Sequence, residues 1–241
     1  MKTVLEALIE EAQGSGAVAP LLRKLKVLAT RTGARDTLLP LVNRELDGYT
    51  SRVDLPAYRG PFETAPVGSF VSIGSKSEGI RVPKFGLPED FVTGTELFEV
   101  YLMESVATLE SRAAESAGMS YTWPAEAVTV LNIQIKAKKT LIRSEYSCLG
   151  VSAVIPRALY IAALDRIRNI ALDLALDLEA IAPQAGEPGA DESVNAEALQ
   201  HINHWYVNVV ATGSNVSFET DGAVTQRVNE SLGGEQTSAL P

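Results

Sequence analysis

Cysteine, histidine and tryptophan are scarce here: one Cys, two His and two Trp in 241 residues. The single Cys148 excludes an internal disulfide framework and any metal site built on cysteines. No apolar run approaches the roughly 20 residues that cross a membrane. The N-terminal stretch MKTVLEALIEEAQGSG carries acids inside its apolar segment, which does not fit a secretory leader. There is no G-x-x-x-x-G-K-[ST], G-x-G-x-x-G or G-x-S-x-G, so the common phosphate cradles and the nucleophile elbow are missing. These absences predict a cytoplasmic protein with no cofactor.

What is present is an uneven charge and a long helix. The net charge is −9, from 21 basic and 30 acidic residues. From Ala163 onward only Arg166, Arg168 and Arg227 stand against twelve acids, so the whole excess lies in the last third. That distribution disfavours a chain-wide nucleic-acid footprint. Two local runs are basic, Leu22–Arg35 and Lys136–Arg143, and such runs are usually solvated faces. An apolar content of 46% is enough for a real core.

The apolar spacing predicts a mainly α protein of the α+β type. Three short helices are expected over Thr3–Gln13, Pro20–Gly33 and Asp36–Leu46, with Gly33 and Asp47-Gly48 as stops. Tyr49–Pro88 is rich in Pro and Gly and predicts a loop with short strands at Ser69–Ile73 and Gly79–Val82. Glu89–Ser116 predicts one long helix. Ala125–Lys136 suits either a helix or a strand, and Leu141–Ile155 is strand-like. After Pro156, the residues Tyr160, Leu164, Ile167, Ala171, Leu174 and Leu178 step by 4, 3, 4, 3, 4 and predict a long seam helix. It should pack on the Glu89–Ser116 helix or on its copy in another subunit. The expected organisation is a helical domain with a β insertion over 1–183 and a linker over 184–191. A short helix plus β tail over 192–229 follows, with a disordered tail over 230–241. The β tail, a hairpin-like WYVNVVATGSNVSF, is marginal alone and should need a partner, which makes it a candidate oligomerisation element.

Few side chains are candidates for chemistry. Asp173 and Asp177 are spaced i, i+4 and share a strip with Arg166 and Asn169. Two such acids could bind a metal, but a solvated face or a polar contact surface is the commoner outcome. His201 and His204, with Glu197 one turn before, form an E-x3-H-x2-H strip with no known metal signature, so no metal site is assigned. Cys148 lacks a nearby base in sequence and suits a buried small hydrophobe.

The segment LLRKLKVLATRTGARDTLLPLVNRELDGYTSRVDLPAYRG, Leu21–Gly60, resembles the N-terminal AbiTii domain of bacterial abortive-infection phage-resistance proteins. The resemblance rests on Glu45-Leu46-x-Gly48-Tyr49 and Leu55-Pro56-x-Tyr58-Arg59. It continues in Ile155–Ile181, which is similar to the closing helix of that domain. Thr32 and the Pro40 region depart from the pattern. The tail segment NVSF…GAVTQ is similar to short Asn/Gly/Gln β repeats that end many bacterial conflict proteins. The resemblance implies antiphage defence and carries over no catalytic residue. Glu45, Gly48, Tyr49, Tyr58 and Arg59 have plain structural readings: a Gly turn, aromatic packing and an ion pair.

The expected function is therefore a non-enzymatic sensor or effector of abortive infection that self-assembles, with further copies and a phage or host protein as partners. A toxin-like hydrolase such as a nuclease, and a structural subunit of an assembly, are the alternatives.

Overall fold

The computed structural model describes residues 2–93, 95–116 and 118–211. The chain opens with α1 (Val4–Gln13), α2 (Val18–Thr32) and α3 (Leu38–Asp47). α1 starts in a capping box: Thr3 Oγ1 accepts from the Glu6 amide and Glu6 returns the bond to the Thr3 amide. Gly33 ends α2 at a φ of +80°, where a residue with a Cβ is strained.

Two short 3-10 turns, Arg52–Asp54 and Ala57–Arg59, lead into β1 (Phe62–Glu63) and the hairpin of β2 (Val67–Ser72) and β3 (Ser75–Arg81). After α4 (Glu89–Val92), β4 (Glu99–Val100) and α5 (Val106–Ala114), the chain adds β5 (Met119–Thr122), α6 (Ala125–Lys136) and β6 (Ser147–Ile155). The sheet order is β3-β2-β6-β5, antiparallel throughout, and β1 pairs with β4 separately. The last described helices are α7 (Arg157–Ile181) and α8 (Glu192–Tyr206), extended by a π-helical turn over Val207–Ala211.

The described residues form two cores. The larger is organised by α7, whose seam residues Tyr160, Leu164, Ile167, Ala171, Leu174 and Leu178 are all buried. α7 packs against α5, which lies in the Glu89–Ser116 segment expected to meet it, and also against α1, α2 and α8. The seam is wide because Ala163, Ile170 and Ala175 are buried beside it, as a bundle core requires. The smaller core joins one face of the four-stranded sheet to α6, around Phe70, Trp123, Leu131, Ile135 and Val151. Asn132 of α6 bonds Cys148 of β6 twice, through its Oδ1 to the amide (2.6 Å) and its Nδ2 to the carbonyl (2.9 Å).

The Glu89–Ser116 segment is not one helix. Its apolar residues serve different cores. Phe91 and Phe98 pack on Trp123 in the small core, with ring centroids 6.1 and 5.3 Å away. Leu102, Val106 and Leu109 belong to the large core. The chain must cross between the two, so regular helix survives only in α4 and α5. Ala125–Lys136 resolves as a helix because Leu131 and Ile135, one turn apart, are its buried pair.

Trp205–Ala211, expected as the first strand of the tail hairpin, is helical. Ala198, Ile202 and Trp205 continue a helical spacing into the large core, and burial of that face overrides local β preference. The rest of the expected hairpin and the expected disordered end lie outside the described residues. Residues 184–191, expected as a linker, lie against the bundle. Ala185 is fully buried, and the Gly186 carbonyl accepts from Arg31 Nη1 at 2.9 Å.

Candidate functional site

Glu45, Tyr49, Tyr58 and Arg59 form one cluster. Glu45 lies on α3 at 2% exposure, and Arg59 ends the second 3-10 turn at 0%. Arg59 Nη2 donates to Glu45 Oε2. The other carboxylate oxygen accepts from the hydroxyls of Tyr49 (2.6 Å) and Tyr58 (2.8 Å). Arg59 Nη1 donates to the carbonyls of Leu102 (3.1 Å) and Glu104 (2.7 Å), just before α5. The guanidinium also lies 5.4 Å from the centroid of the Tyr49 ring. Burial, then the Glu45 carboxylate, pushes both tyrosine hydroxyls above their ordinary range.

Gly48 lets the chain turn into this cluster. Its φ of +93° and ψ of 170° are reserved for glycine, and a Cβ there would stand 3.0 Å from the Met103 carbonyl oxygen. The adjacent Tyr49 amide donates to that carbonyl at 2.7 Å. The cluster thus joins α3, the 49–60 loop and the lead into α5. Its chemistry is that of a buried ion pair in which both carboxylate oxygens and both Nη groups are bonded, while Arg59 Nε is buried with no hydrogen-bond partner among the described residues.

A second constellation lies between α7 and α8. A cleft of about 110 Å³ is lined by Arg166, Asp173, Asp177, His201, His204 and Trp205, among others. The acids and the histidines are separate features in the sequence, and the return of α8 along α7 brings them together. His201 Nε2 stands 3.4 Å from Asp177 Oδ2. His204 Nδ1 is 3.4 Å from Asn208 Nδ2. Partial removal from water, helped by the neighbouring Asp177 carboxylate and opposed by Arg166, raises the Asp173 carboxyl above its usual range. Asn169 and Glu197 are exposed and do not line the cleft. Among the described residues, no group of three or more His, Cys, Asp or Glu is placed to hold a metal ion.

The other sequence candidates fall elsewhere. Cys148 is buried in the small core, and burial raises its thiol. In the Leu22–Arg35 run, Lys24 pairs with Glu11 and Arg31 caps the Gly186 carbonyl. In the Lys136–Arg143 run, Lys136 Nζ donates to the carbonyls of Ser144 (3.0 Å) and Tyr146 (3.2 Å).

The AbiTii family model matches residues 3–204, which run from the start of α1 to near the end of α8. The chain belongs to the AbiTii family. Membership assigns it to bacterial abortive-infection defence. The match is wider than the Leu21–Ile181 resemblance and takes in both the buried cluster and the two histidines of α8. No curated protein and no solved structure matches the chain. None of the described AbiTii helices is long and apolar enough to cross a membrane.

Proposed function

We propose that this AbiTii protein is a non-enzymatic effector of abortive infection that acts by assembling with copies of itself and contacting a phage or host protein. The observation that carries this reading is the state of the Glu45 carboxylate. Both of its oxygens are taken, by Arg59 on one side and by Tyr49 and Tyr58 on the other, inside the protein. The most distinctive motif of the sequence is therefore spent on holding the fold, and none of its four side chains is offered to a substrate. The α7–α8 cleft then serves as a polar contact surface on the acidic third of the chain. The chain works in the cytoplasm in this account.

One observation favours a second reading, a hydrolase or nuclease. His201 Nε2 lies at ion-pair distance from Asp177, without a hydrogen bond, in the relative placement of a base and the carboxylate that would orient it. The two readings separate in a single comparison of the intact protein and His201→Gln. Host growth is followed after infection at low and high phage dose, and nucleic acids are assayed for breakdown with and without divalent metal. A non-enzymatic effector protects in both forms and degrades nothing. A hydrolase loses protection and cleavage together in His201→Gln.

A further inference from the structure

The four-stranded sheet carries a groove that no role above has used. It is about 370 Å³ and lies between β3 and the 141–146 loop. Its lining is mainly apolar, with Phe70, Ile80, Pro83 and Leu141, and two guanidiniums, Arg81 and Arg143, stand at it. Leu141 is 68% exposed and Ile80 is 45% exposed. The Leu141 amide donates to the Gly86 carbonyl at 3.1 Å, which ties the 141–146 loop to the turn after β3. Arg143 meets only the exposed Glu145, and Arg81 has no acidic partner among the described residues. Lys138 and Lys139 precede Leu141 in the chain and are exposed. The surface is thus an exposed apolar centre with a basic rim, and it marks a contact site more than a solvated face.

The complementary surface is on the same molecule. Along α7, Asp173 and Asp177 flank Leu176, which is 43% exposed. Leu176, Asn169, Asp173, Arg166 and Asp177 fall within about 100° of the helix circumference at 100° per residue. At its C-terminal end this strip sets Leu176 beside two acids, with Arg166 and Asn169 further back, and it sits in the part of the chain that holds the whole negative excess.

We infer that the basic groove of one copy takes the acidic α7 strip of a second copy. The assignment rests on the self-assembly proposed above and adds which two faces meet. The contact is heterologous, because two acidic strips repel, as do two basic grooves. Repetition of such a contact closes a ring or grows a filament. Leu176 enters the groove beside Leu141, and Asp173 and Asp177 meet Arg81 and Arg143.

The test uses the full chain and two charge reversals, Arg81→Glu/Arg143→Glu and Asp173→Lys/Asp177→Lys, with molar mass read by sedimentation over a concentration series. Wild type forms concentration-dependent oligomers that weaken at least about tenfold between about 50 and about 500 mM NaCl, as a charge-guided contact must. Each reversed variant alone stays monomeric. A mixture of the two assembles again, because each now offers the charge that the other lacks. Wild-type oligomers insensitive to salt and to both reversals would overturn this pairing of faces and leave self-assembly standing. A wild-type monomer at every concentration would overturn both. Loss of binding to an RNA oligonucleotide in Arg81→Glu/Arg143→Glu, with assembly unchanged, would reassign the groove to nucleic acid. The salt series on wild type decides the matter if a reversed variant fails to fold.

Discussion

Arg59 and Glu45 face each other inside the protein, and each is hydrogen-bonded to a second element. Arg59 holds the carbonyls of Leu102 and Glu104, while Glu45 accepts from Tyr49 and Tyr58. The ion pair is therefore the middle of a clamp that joins α3, the 49–60 loop and the start of α5. Tyr49 closes the same ring from the backbone, through its amide on the Met103 carbonyl.

Breaking that clamp from one side leaves a buried charge without its partner. Glu45→Ala is expected to cost about 3–5 kcal/mol in urea unfolding. The double substitution Glu45→Met/Arg59→Met is expected to cost less than Glu45→Ala alone, because it removes both charges and keeps the volume. A double variant more damaged than the single would show that the clamp works through its hydrogen bonds to the 102–104 carbonyls more than through charge.

The two tyrosines give the clamp an alkaline limit. Their hydroxyls are held above the ordinary value by burial and by Glu45, so the folded state keeps protons that the unfolded chain gives up above about pH 10. Their contribution is complete below that pH and falls as pH rises further. Unfolding free energy should be level from about pH 7 to about pH 9 and decline above about pH 10, by up to about 1.4 kcal/mol per pH unit for each tyrosine. Tyr49→Phe should be less stable at pH 7 and have a shallower alkaline decline. An unchanged decline would remove Tyr49 from this account.

Gly48 holds the entry to the clamp at a φ of +93°. Gly48→Ala adds a Cβ at 3.0 Å from the Met103 oxygen and is expected to cost about 1–3 kcal/mol from backbone strain alone. Thermal melting of the variant checks it, and a melt equal to wild type would mean that the turn relaxes freely.

At the cleft the sign is opposite to that of a stabilising carboxylate. The Asp173 carboxyl is raised, so its proton is held more tightly in the folded state, and ionisation as pH rises through the acidic range removes stability. Asp173→Asn should match or slightly exceed wild type at pH 7, by no more than a few tenths of a kcal/mol at this exposed site. The difference should vanish near pH 3. Thermal melts at the two pH values measure it, and a clear loss at pH 7 would mean that the carboxylate has a favourable partner there.

Local spacing made much of this fold legible. The seam from Tyr160 to Leu178 was readable because one helix buries one stripe against several neighbours. Gly33 and Gly48 were readable as stops because both need positive φ. Glu89–Ser116 was misleading, since residues at helical spacing serve two cores, Phe91 and Phe98 in one and Leu102 in the other. Trp205–Ala211 was misleading because its β-branched residues follow a helix whose buried face runs on through Ile202 and Trp205. Each side of the α7–α8 cleft had a local signal, the acidic strip and the histidine pair, but nothing in the sequence joined them. Asp177 and His201 lie 24 positions apart, and only the packing of α8 on α7 sets them 3.4 Å from each other. The groove at Arg81 and Arg143 likewise joins a strand and a loop that no periodicity connects.

The central claim is defence through assembly and without catalysis. It is tested most directly by plating phage on bacteria that express wild type, His201→Gln or Arg81→Glu/Arg143→Glu, with host growth followed at low and high phage dose. The account predicts protection at low dose and culture collapse at high dose for wild type and His201→Gln, and no protection for the folded Arg81→Glu/Arg143→Glu. Protection that survives in Arg81→Glu/Arg143→Glu and disappears in folded His201→Gln would contradict it.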